Sequence, residues 1–119
     1  MTWSTQDISL AYTSENLGYV ISQGILGSSS AYSHHQLINW CISFSQHFDD
    51  PGLNDPQRAK YQALADDISV QWELHLAGHY SLEQMSRIDL NDLILPKSFF
   101  QHWLDQLELL NHDLKQSSP

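Results

Sequence analysis

Between Asp55 and Gly78 the chain carries Tyr61, Leu64, Ala65, Ile68, Trp72 and then His75 or Leu76, recurring three and four residues apart. An α-helix, at about 3.6 residues per turn, brings such a series to one side, so the spacing predicts a helix that buries this stripe. Its ends are marked as well. Asp55 is a good N-cap, and Pro56 suits the first helical position, where its missing N–H has no partner to lose. Gly78 supplies a stop.

The same logic places a second helix from Pro96 or Lys97 to about Lys115. Its apolar face is Phe99, Phe100, Trp103, Leu104, Leu107, Leu110 or Asn111, and Leu114. A third spans Ser33 to Phe48 with Ser33 as cap. Leu37, Ile38, Cys41, Phe44 and Phe48 trace one side, widened by Trp40 and Ile42. Asp49-Asp50-Pro51-Gly52 ends it, because the residue before proline is pushed out of α and glycine supplies turn geometry. Ser81 caps a short helix through Met85, and another helical turn falls at Leu90–Leu93. The N-terminal third is ambiguous. Thr13-Ser14-Glu15-Asn16 caps a helix carrying Leu17, Val20, Ile21 and Ile25, yet Leu17–Ser22 is also short and β-branched enough for a strand. Gly18 and Gly24 each cost a helix about 1 kcal/mol relative to alanine. Helix is preferred, since a lone strand leaves its backbone unpartnered. The expected fold is all-α: one domain over residues 1–119, an irregular bundle of four to six helices, with a short strand near residues 17–22 as the alternative.

Composition then excludes partners. The 119 residues hold 14 Asp and Glu against 5 Lys and Arg, a formal charge of −9. Too few cations are present to neutralise the phosphates of nucleic acid or the headgroups of an anionic membrane. No apolar run is long enough to cross a bilayer, and no basic segment followed by an apolar one suggests a secretory signal. A single cysteine, Cys41, makes no internal disulfide, which points to a reducing cytoplasm. The charge is also unevenly laid out. Arg58 is the first basic residue, and before it stand Asp7, Glu15, Asp49, Asp50 and Asp55.

Catalytic motifs are sparse. His75 and His79 stand four apart with Glu83 beyond them, a spacing that suits a metal if one helix carries them all. Gly78 and Ser81 argue for a break between them, and the glutamate nearest His75 is misplaced for a zinc protease. His34-His35 open a helix with rings about 100° apart and read as an exposed polar cap. Cys41 lies in an apolar stripe, without the cationic setting a reactive thiolate needs. Glycine-rich phosphate loops, serine elbows and calcium loops are absent. The expectation is therefore a non-enzyme that holds no cofactor and no metal.

What remains is the surface. Trp72 and Trp103 belong to core stripes. Trp40, at the edge of its stripe, is a partly exposed anchor candidate, joined by Tyr32; Trp3 either folds back on the core or meets a partner. Interfaces favour rigid aromatics ringed by polar groups. In size, acidity and cysteine usage the chain is similar in type to bacterial immunity proteins that neutralise nuclease toxins and to phage inhibitors of nucleic-acid enzymes, with no motif in common. The expected function is inhibition of a basic protein by covering its nucleic-acid-binding or active-site surface, through Asp49, Asp50, Asp55, Asp66, Asp67, Trp40 and Tyr32. A helical adaptor without inhibitory role, and a histidine-based metal protein or enzyme, are the alternatives.

Overall fold

Four helices carry the predicted stripes, and all four stripes meet in one core. The computed structural model describes residues 8–26 and 30–117, with side chains to residue 113. Helix α1 spans Ser14–Leu26, α2 His34–His47, α3 Asp55–His79, α4 Leu82–Arg87 and α5 Lys97–Ser117, with a 3-10 turn at Leu90–Asp92 before α5. Trp3 and the side chain of Leu114 lie outside the described residues. Among the described residues there is no strand, and no helix is long and apolar enough to cross a membrane.

The helices form a ring in which α1 packs on α2, α2 on α3, α3 on α5 and α5 on α1. Ring neighbours run antiparallel. Gly18 lies against Leu107 and Gly24 against Phe100, while Tyr61 bonds Asn111 and Asp67 bonds Trp103. The core is a continuous set of buried side chains that includes Leu17 and Ile21, Ile38 and Phe44, Tyr61 and Ile68, and Phe100 and Trp103.

The N-terminal ambiguity resolves through its glycines. In α1 they are points of close approach: a methyl at Gly24 would overlap the Phe100 ring, and one at Gly18 would stand 3.3 Å from Leu107. Helix α1 thus gives up propensity in exchange for contact with α5.

Two helix ends differ from expectation. The N-cap of α3 is Asn54, whose side chain accepts from the Gln57 N–H while Gln57 reaches back to the Asn54 N–H. This reciprocal box satisfies two otherwise unpaired donors, and it moves Asp55 inside the helix. Gly78 also stays helical, with Tyr80 as the C-cap. The stop comes from Ser81, which caps α4 through its own box with Gln84.

His34 is the larger correction. Instead of forming an exposed cap it is buried at 2% exposure, with its ring 4.5 Å from that of Phe100. Its Nδ1 accepts the Leu95 N–H at 2.8 Å, and its Nε2 donates to the Gly24 carbonyl at 3.1 Å. A backbone N–H can only donate and a carbonyl only accept, so the ring is neutral and protonated on Nε2. Gly24 lies in the last turn of α1, where carbonyls lack intrahelical partners. One imidazole therefore joins α1, α2 and the strap leading into α5. Beside it, the Ser33 hydroxyl donates to Asn91 Oδ1 at 2.6 Å and holds the 3-10 turn. Among the described residues no buried side-chain nitrogen or oxygen lacks a hydrogen-bond partner.

Candidate functional site

The acids predicted to meet a partner fall in two places. Asp49, Asp50 and Asp55 form the loop between α2 and α3, and Arg58 organises it from the first turn of α3. Its Nη1 donates to the carbonyls of Asp50, at 3.1 Å, and Leu53, at 2.6 Å. Its Nη2 pairs with the Asp55 carboxylate, and its Nε lies 3.8 Å from Asp49 Oδ1. Asp50 is turned inward on its own loop, accepting the Gly52 N–H at 2.9 Å. The first cation in the chain is thus consumed inside the acidic cluster, with the carboxylates of Asp49 and Asp55 and the carbonyl of Asp50 around one guanidinium. Burial, and then the nearby Asp50 charge, push the Tyr61 phenol above its usual range. Its hydroxyl donates to Asn111 Oδ1 at 2.6 Å and ties this end of α3 to α5.

Asp66 and Asp67, adjacent in sequence, point about 100° apart around the helix and lie about 17 Å along it from Asp55. Asp66 is exposed. Asp67 is half-buried and accepts the Trp103 indole N–H at 3.3 Å, so it serves the α3–α5 contact as well as the surface.

The two aromatics do not join them. Trp40 is only 4% exposed. Residues 8–12 cross α2 ahead of α1 and cover the stripe edge, so Trp40 donates to the Leu10 carbonyl at 3.3 Å and packs between Tyr12 and Phe44. It is a core residue, and the exposed-anchor expectation fails. Tyr32 is half-buried before the first turn of α2. The 14 residues of that helix separate it from Asp49 by about 21 Å. The seven predicted residues therefore do not make one patch.

The chain does present one that periodicity did not pick out. Between α3 and α5 runs a groove of about 730 Å³, floored by Leu64 and Trp103 and walled by Phe99, Leu109 and Leu110. Asp67, Gln71, His102 and Lys60 supply its polar groups. Leu109 is 64% exposed, and Val70 and Leu74 on α3 are 48% and 60% exposed. Ala63, Val70 and Leu74, seven and eleven residues apart, share one side of α3 and extend the apolar surface outward. The signal was present in the sequence as large apolar residues lying off the buried stripe.

Other chemistry is closed off or incomplete. Cys41 is buried, and burial pushes its thiol up to about 12. His75 and His79 share an unbroken helix after all, with rings stacked 4.2 Å apart and the His79 Nδ1 donating to the His75 carbonyl at 2.9 Å. Burial, then the neighbouring His79, lower the His75 pKa. Glu83, the third ligand the spacing suggested, bonds Arg87 at 3.0 Å. Among the described residues no group of three or more His, Cys, Asp or Glu is placed to hold an ion. In comparisons with protein-family models, curated proteins and solved structures, nothing matches the chain.

Proposed function

We propose that this protein is a small acidic binding module that inhibits a basic partner by covering its nucleic-acid-binding or active-site surface, in the manner of an immunity protein against a nuclease toxin. The observation behind this is the disposition of charge. Among the described residues, salt bridges to arginine or lysine engage Asp49 and Asp55 through Arg58, and Glu83 through Arg87. Asp66, Glu73, Asp89, Asp92, Asp105, Glu108 and Asp113 are exposed. Such a surface raises the local concentration of a basic protein and fixes its approach, while apolar contacts slow its departure. With one cysteine the chain makes no internal disulfide, which accords with action in the cytoplasm.

The experiment is to search the genes around this one for a basic nuclease and to titrate that nuclease with this protein. Nuclease activity falls to its floor at one equivalent if the proposal holds. Full activity at tenfold excess of this protein overturns it.

A further inference from the structure

The groove between α3 and α5 is a large apolar concavity on two helices that carry exposed carboxylates, and it deepens the proposed function, on which it rests. Lys60 to Gln71 and Phe99 to Leu110 line its two walls, each run covering about 17 Å at 1.5 Å per residue. That is about three helical turns, enough for anchors at i, i+3 or i+4, and i+7. The floor of Leu64 and Trp103 is already packed into the core, so anchoring side chains meet a rigid surface. Charge selects among occupants. Asp67 lies in the groove, and Asp66 and Glu73 on α3 and Asp105 and Asp113 on α5 are exposed on the same two helices. The lining itself is balanced, Asp67 against Lys60 at one end; the acidic excess comes from the two helices around it, which hold seven Asp and Glu against four Lys and Arg.

We propose that this groove receives a basic amphipathic helix of the partner protein, its apolar side on Leu64, Phe99, Trp103 and Leu109 and its lysines or arginines over the flanking acids. A second copy of this chain fits less well, because it would bring a charge of −9 against another of −9.

The probe is an 18-residue peptide of leucine and lysine with leucines at i, i+3, i+4 and i+7, beside a peptide of the same composition with leucines scattered around the helix. Both are titrated into the ¹⁵N-labelled protein. The patterned peptide shifts the amide signals of Ala63, Asp67, His102, Gln106 and Leu109, and binds about tenfold more tightly than the scattered one. Leu109→Asp, on an exposed position, removes that advantage while circular dichroism stays unchanged; Leu109→Met retains it. Equal, salt-sensitive binding of both peptides, with shifts at Asp49–Asp55, overturns the groove and leaves the basic-partner proposal standing. Failure of both peptides to bind at low salt overturns the two together. A concentration-dependent dimer that Leu109→Asp dissolves assigns the groove to a second copy and overturns the partner helix.

Discussion

Replacing His34 by phenylalanine keeps a ring of similar shape against Phe100 and removes both ring nitrogens. The Leu95 N–H and the Gly24 carbonyl, bonded at 2.8 and 3.1 Å in the parent protein, are then buried without partners. Each such orphan costs about 1–3 kcal/mol. The more apolar ring returns about 1 kcal/mol. The expected loss is about 3 kcal/mol, a large part of the 5–15 kcal/mol that typically holds a domain together. At this chain length it lowers Tm by roughly 10–15 °C. Urea unfolding followed by tryptophan fluorescence and circular dichroism measures the loss, and exchange of the Leu95 amide reports the broken bond. The pH dependence follows from the same geometry. A proton on Nδ1 would point at the Leu95 N–H, and burial already lowers the His34 pKa. The unfolded chain therefore takes up a proton, near pH 6.5, before the folded protein does. Stability is at its full value above about pH 6.5 and is lost as pH falls from there through the lower folded pKa. His75 is shifted in the same direction and adds to the slope. His34→Phe flattens the part due to His34. A variant within about 0.5 kcal/mol of the parent, with the Leu95 amide equally protected, would refute the assignment of His34 as the clasp.

Two glycines predict opposite signs for one substitution. Gly24→Ala drives a methyl into the buried Phe100 ring and destabilises by about 1–3 kcal/mol, whereas Gly78→Ala meets open space in the last turn of α3 and stabilises by about 0.5 kcal/mol; urea midpoints with unchanged slopes decide both. Cys41, buried with its thiol pushed up to about 12, stays unmodified by a thiol reagent at pH 8 in the native protein and reacts on unfolding. Labelling that outpaces unfolding would place the thiol at the surface.

The helices were legible because their apolar residues repeat at the helical period over several turns. Tyr61 to Leu76 and Phe100 to Leu107 enter the core as that period requires. Contacts between distant segments were not legible. Nothing local in His34-His35 says that Leu95 will donate to one ring, and nothing in Trp40 says that residues 8–12 will cross over it. The glycines of α1 argued against a helix by propensity and are explained only by α5 packed across them. The acidic cluster was visible as Asp49, Asp50 and Asp55, but its absorption of Arg58 depends on loop carbonyls turning inward. The groove was missed for a related reason. A stripe rule keeps the residues facing the core, and Val70, Leu74 and Leu109 are informative because they do not.

The account rests on the claim that this acidic surface meets a basic protein, and the association rate with a basic nuclease that it inhibits tests this most directly. Between about 0.01 and 0.15 M salt the Debye length shrinks from roughly 30 to roughly 8 Å. Electrostatic steering then predicts an association rate that falls by about tenfold or more across that range, with a much smaller change in dissociation. An association rate indifferent to salt would contradict it.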